Sequence, residues 1–156
     1  MDRLMAISPV DGRYGERVGE LVPFYSEYGL MRYRVLVETE YFIALSHARL
    51  PRFDSFPHEM EQALRSLCSS FSPADADHIK QKEAVTNHDV KAVEYFVKEK
   101  VTALGLGKWA EFVHFGLTSQ DINNTAMPMA IRDSVREVMK PMLVSLRDAI
   151  RTMAEE

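Results

Sequence analysis

From Thr118 onward the chain carries an apolar residue at every third or fourth position: Ile122, Ala126 and Met129, then Val135, Met139, Met142, Leu146, Ile150 and Met153. Residues at that spacing lie along one side of an α-helix. A stripe this long commits the chain to a helix that needs packing partners along its whole length, and so to helix-on-helix architecture. Pro128 and Pro141 fall within it. Each removes a helical hydrogen bond, so each predicts a bend or a break. No glycine, asparagine or proline stop signal follows Met153. The expectation is a truncated bundle, in which most of the core this stripe should bury against lies outside the sequence.

The rest of the chain follows the same period. Residues 1–25 are interrupted by Pro9, Gly12, Gly15, Gly19 and Pro23 and read as irregular. A helix is expected from Ser26 to about Ala48, with Met31, Val35, Phe42 and Leu45 inward. Pro51, Asp54 and Pro57 mark a turn, and a second helix places Met60, Leu64, Leu67 and Phe71 on one face. Ser72-Pro73-Ala74-Asp75 restarts the chain with a capping serine, proline at the first helical position and an early acid; that helix is expected to end near Glu83. Thr86 and Asp89 are spaced as a capping box for the next one, striped by Val90, Val93, Val97 and Val101. Gly105 and Gly107 close it, Trp109–Phe115 forms a short apolar helix, and Thr118 or Ser119 caps the final one. No strand alternation or internal repeat is present. The reading is all-α, with a boundary near Gly105–Lys108 separating a helical domain, 1–107, from the start of a second, 108–156.

Charge and composition exclude several classes. Nineteen basic against twenty-three acidic residues give a net charge of -4, which offers no electrostatic case for nucleic acid. Asp2, Arg3, Asp11, Arg13, Glu16 and Arg17 leave no apolar run for a signal peptide, and no segment reaches the ~18 apolar residues of a membrane span. The single cysteine, Cys68, has no partner for an internal disulfide and fits a reducing, cytoplasmic setting. No metal site is expected: His47, His58 and His78 lack metal-ligand spacing, and no two histidines stand four apart.

Three segments place polar groups where a helix core does not need them. In Ser8-Pro-Val-Asp-Gly-Arg-Tyr-Gly15, Arg13 offers a planar fork of donors suited to phosphate or carboxylate and Tyr14 a hydroxyl; a plain surface turn is the alternative. At Thr86-Asn87-His88-Asp89 a helix start turns N–H groups outward, where they favour an anion. Asn87 and His88 can orient a ligand, and Asp89 can accept from it or fix the imidazole; an ordinary capping box is the alternative. In Phe115-Gly-Leu-Thr-Ser-Gln-Asp121, the hydroxyls of Thr118 and Ser119 join the first free N–H groups of a helix as a carboxylate pocket, against a simple N-cap. His114 stands just upstream between Val113 and Phe115, where a buried structural histidine is the alternative reading.

Taken in order, these segments resemble the adenylosuccinate lyases of the fumarase/aspartase superfamily. The likeness is carried by Ser8–Tyr14, by Thr86-Asn-His-Asp-Val-Lys-Ala-Val-Glu-Tyr-Phe96, and by Glu111-Phe-Val-His-Phe-Gly-Leu-Thr-Ser-Gln-Asp-Ile-Asn-Asn124. The resemblance implies an N-terminal helical domain followed by the first long helix of a central helical bundle. It implies release of fumarate from adenylosuccinate and from the succinylaminoimidazolecarboxamide ribotide, without a cofactor and without a metal. Arg13 and Tyr14 would then hold the nucleotide phosphate. Asn87, His88 and Asp89 would line the succinyl group and base, His88 orienting substrate. Thr118 and Ser119 would grip a succinyl carboxylate, and His114 is a further candidate to reach or back the ligand. The family's general acid histidine and general base serine belong to motifs absent here, so no catalytic residue is assigned within the chain and the fragment is expected to be inactive. The full-length family protein forms a homotetramer. Two other readings compete: another lyase of the superfamily, and a non-catalytic helical module that uses the 122–153 stripe as a partner surface.

Overall fold

The computed structural model describes residues 6–48 and 50–155; Asp2 and Arg3, invoked above, lie outside them. All regular elements among the described residues are helical. The α-helices are α1 (Val22–Tyr25), α2 (Glu27–Ser46), α3 (Glu61–Ser69), α4 (Pro73–Thr86), α5 (Asp89–Val101), α6 (Ser119–Ser134) and α7 (Lys140–Glu155), with short 3-10 and π segments among the connections. The all-α expectation holds. The chain divides into two compact units, 30–128 and a pairing of 1–29 with 129–156.

The 30–128 unit holds the principal core. Helix α2 buries Met31, Tyr33, Val35, Phe42 and Ile43 there. The segment after it contributes Phe53 and Phe56, which meet Phe42, Phe112 and Trp109 edge-on at centroid distances of 4.8–6.1 Å. The indole N–H of Trp109 donates to the Arg52 carbonyl at 2.9 Å, which satisfies the one polar atom this cluster encloses. Helices α4 and α5 form an antiparallel pair. Ile79, Val90, Val93 and Val97 are buried, and Asp75 of α4 accepts from the Lys100 ammonium of α5 at 2.8 Å.

Helix α4 starts as its residues require. The Ser72 hydroxyl accepts from the Asp75 N–H at 3.3 Å, and the Asp75 carboxylate accepts from the Ser72 N–H at 3.0 Å. Its end differs from expectation: α4 runs on to Thr86 and closes on Asn87, whose φ of 50° is left-handed. Asparagine tolerates that conformation. The expected box from Thr86 to Asp89 does not form. His88 caps α5 instead, its Nδ1 accepting from the Lys91 N–H at 3.1 Å.

The two prolines of the final stretch differ from each other in their effect. Pro128 lies inside α6 without ending it. The break comes at Val135–Met139, where the helix widens to a π turn. The Lys140 N–H then reaches the Val135 carbonyl, and Pro141 sits in the first turn of α7, where an N–H is dispensable. The long stripe is buried at Ile122 and Ala126, whereas Met139, Met142, Leu146, Ile150 and Met153 are exposed. Tyr25 and Ser134 hydroxyls meet at 2.5 Å. Gly29 admits no side chain: a Cβ there would lie 2.7 Å from the Pro23 carbonyl oxygen. No described helix is long and apolar enough to cross a membrane.

Candidate functional site

The candidate residues fall into both units. Arg13 and Tyr14 belong to the 1–29/129–156 unit, and Asn87, His88, Asp89, His114, Thr118 and Ser119 to the other.

The Ser8–Gly15 loop is knit by its own backbone. The Gly12 N–H donates to the Ser8 carbonyl at 3.0 Å and the Tyr14 N–H to the Pro9 carbonyl at 2.9 Å. The Ser8 hydroxyl accepts from the Val10 N–H at 3.1 Å. These bonds turn Arg13 and Tyr14 outward as an exposed pair, with the guanidinium 6.0 Å from the phenol ring centre. Both line an open pocket with Ser8, Pro9 and Gly12.

In the 30–128 unit one helix face organises the rest. Arg34, Glu38 and Tyr41 of α2 stand four and three residues apart, so they share a face, and each reaches a different part of the candidate site. Arg34 is only 6% exposed. Its Nη2–H donates to Asp89 at 2.7 Å and its Nε–H to the Asn123 side-chain oxygen at 2.9 Å. It therefore ties the start of α5 to the second turn of α6. Burial opposes charge on Asp89, but the Val90 N–H and Arg34 outweigh it and hold that carboxyl below its ordinary value. Tyr41 donates its hydroxyl to the Phe115 carbonyl at 2.8 Å.

Glu38 is wholly buried. Its Oε1 lies 2.5 Å from His114 Nδ1, and its Oε2 has no hydrogen-bond partner among the described residues. Burial raises its pKa against the opposing pull of His114. Glu94, also buried, shows the contrast. Lys91 at 2.8 Å and Lys98 at 3.2 Å flank it, and these two cations overcome its burial and lower its pKa. His114 itself has φ 64°, a left-handed backbone that costs a non-glycine residue roughly 1 kcal/mol or more.

The two hydroxyls of the third segment differ. Thr118 caps α6: its N–H and its hydroxyl both donate to Asp121, at 2.7 and 2.8 Å, and those bonds lower the Asp121 pKa. Ser119 opens the helix, half-buried, and its hydroxyl has no hydrogen-bond partner among the described residues. Of the two, Ser119 is the one with a donor to spare. Asn87 and His88 are exposed, with His88 Nδ1 already engaged by its capping bond.

Counting apolar positions along α2 missed Arg34, Glu38 and Tyr41. The available signal was charge inside a helix otherwise rich in buried residues. Sequence spacing also hid one cluster. His47 Nε2 and His58 Nδ1 lie 2.7 and 3.0 Å from the same Glu61 oxygen, within reach of a shared metal ion. Here the three are joined by hydrogen bonds, which together lower the Glu61 pKa.

A protein-family model described as "Lyase" matches residues 12–156. The chain is 48% identical to an adenylosuccinate lyase of Dictyostelium discoideum, aligned over all of this chain and 34% of that protein. It is 44% identical to the adenylosuccinate lyase of Vibrio cholerae, over all of this chain and 35% of that one, and 43% identical to that of Escherichia coli K12, over 99% and 34%. The chain thus spans about a third of the length of the curated relatives it matches. With the family match running from the Arg13 loop through the α2 face to the end of α7, the chain belongs to this lyase family.

Proposed function

We propose that this chain is part of an adenylosuccinate lyase, which eliminates fumarate from adenylosuccinate to leave AMP, and from succinylaminoimidazolecarboxamide ribotide to leave the aminoimidazole carboxamide ribotide. The observation that carries the reading is the α2 face. Arg34 holds the His88–Asp89 segment against α6, and Glu38 and Tyr41 hold the His114–Phe115 segment that leads into Ser119. The names of the relatives support the same substrate.

The chemistry proceeds in stated steps. A base removes a proton from the carbon next to a succinyl carboxylate, and negative charge builds on that carboxylate. The C–N bond breaks, the electron pair leaves with nitrogen, and an acid protonates it. The carboxylate is the electron sink, so the reaction calls for no cofactor. In this reading Ser119 and the free N–H groups of α6 bind that carboxylate as its charge grows, and Thr118 shapes the same helix start. Arg13 and Tyr14 hold the phosphate. Asn87 and His88 orient the substrate, and Asp89, locked by Arg34, fixes their position. The acid and the base come from the part of the relatives' length that this chain does not span, and the division at 107/108 rests on the family resemblance, since residues 30–128 pack as one compact unit. The exposed face of α7 is covered in a homotetramer, and the enzyme works in the cytoplasm within purine synthesis.

The intact protein, continued past residue 156, should consume adenylosuccinate and release one fumarate per AMP. Turnover of argininosuccinate or malate in its place would refute the substrate assignment. Under this reading Arg13→Ala mainly raises KM, whereas Ser119→Ala lowers kcat as well.

A further inference from the structure

Three costs meet at one pair of side chains. Glu38 is a fully buried carboxylate, its second oxygen has no partner among the described residues, and the histidine bound to its first oxygen sits on left-handed backbone. None of these adds stability. Replacing a buried charge by an apolar residue of similar size is often neutral or stabilising, and the neighbouring inward positions Val35 and Phe42 are already apolar. A carboxylate kept at position 38 despite all three costs fits a site that is organised for work rather than for stability.

We propose that Glu38 is a positioning residue: it accepts the Nδ1–H of His114, fixes the ring's tautomer and orientation, and leaves Nε2 as the nitrogen offered to the ligand beside Ser119. The geometry permits this. The His114 ring is mostly buried, with a side-chain exposure of 15% against 0% for Glu38, and Nδ1 is the atom that meets the carboxylate. A carboxylate behind a histidine is a general way to set which ring nitrogen bears the proton. Lys91 and Glu94 of α5 also act on Glu38, and Asp121 of α6 faces His114. Glu94 and Lys91 act in opposite senses, and of these groups His114 is the one hydrogen-bonded to Glu38. The role of Nε2 toward substrate rests on the lyase reading above; the Glu38–His114 relation does not.

The test separates the two. Long-range 1H–15N correlation of the histidine side chains in this chain reads the tautomer directly. The neutral His114 ring of the unaltered protein should carry its proton on Nδ1, and Glu38→Leu should move it to Nε2. A ring already protonated on Nε2 in the unaltered protein overturns the proposal without any variant. Thermal melting of Glu38→Leu and Glu38→Gln should give a Tm equal to or above that of the parent; a large fall in both would make Glu38 structural and overturn the positioning role. In the intact enzyme Glu38→Gln should lower kcat at least about tenfold with a smaller change in KM, and Glu38→Asp should recover part of it. Unchanged kcat in Glu38→Gln overturns the proposal. If the unaltered intact enzyme turns over no adenylosuccinate, the lyase reading fails while the tautomer result still stands or falls by itself.

Discussion

Arg34 is the best place to test whether the site is built as described. Arg34→Met keeps most of the apolar stem and the helix propensity and removes only the guanidinium. Two hydrogen bonds go with it. The bond to Asn123 starts from a side chain that is 7% exposed; a bond from a charged donor contributes about 1.5 kcal/mol or more, and its loss leaves the Asn123 oxygen without that partner. The bond to Asp89 contributes less, about 1 kcal/mol, because the Asp89 side chain is 49% exposed and water can replace the arginine there. The expected loss is about 2–3 kcal/mol of unfolding free energy. Urea unfolding followed by fluorescence is a suitable assay, since Trp109 is the single tryptophan and sits in the buried aromatic cluster of the same unit. A double-mutant cycle with Asp89→Asn isolates the ion pair, and an interaction energy of about 1 kcal/mol is expected. A loss below about 1 kcal/mol, or strict additivity with Asp89→Asn within about 0.3 kcal/mol, would refute the argument that Arg34 braces the two segments.

Ser72→Ala removes half of a reciprocal cap and should cost about 1 kcal/mol in the same urea experiment. Burial opposes the Asp75 charge, yet Lys100 and Ser72 together lower its pKa below the ordinary 3.8; that contribution is present above the unfolded value and is lost as pH falls through the folded one, so the stability gap between parent and Asp75→Asn should close on acidification. Gly29→Ala forces a Cβ to within 2.7–2.8 Å of Pro23 backbone atoms, an overpacking expected to cost about 1–3 kcal/mol despite better helix propensity, as thermal melting will report. The apolar row from Met139 to Met153 is exposed and should make this chain associate; sedimentation should show concentration-dependent association that Leu146→Glu reduces.

Much of the helical order was legible because its signals are local. Ser72 with Asp75 announces α4, and the valines at 90, 93, 97 and 101 announce the buried side of α5. The α4–α5 junction was misread because Thr86 and Asp89 have capping-box spacing, while the residue that decides the turn is Asn87 in left-handed conformation. The long final helix begins where Thr118 and Ser119 predict. Pro128 is accommodated within α6, whereas the break expected of Pro141 falls just before it, as the π turn at Val135–Met139. The candidate segments were legible as motifs. Their supports were not, since spacing alone cannot tell whether a helical charge faces water or a neighbour 76 residues away, as Glu38 does in meeting His114.

That difference explains how α2 works. A polar residue on the inward side of a helix cannot turn to solvent, so it must find a partner inside the protein or pay for desolvation. Arg34 finds two, Tyr41 finds a carbonyl, and Glu38 finds one and leaves an oxygen unmatched. The first two contacts are satisfied and hold the segments around Asp89 and Phe115 in place. The third is under-satisfied, and it bears on the one candidate ring with a strained backbone. Stability alone accounts for Arg34 and Tyr41 but not for Glu38, which is why substitutions along this face should separate: loss of Arg34 should be felt first in unfolding, and loss of Glu38 first in the tautomer of His114.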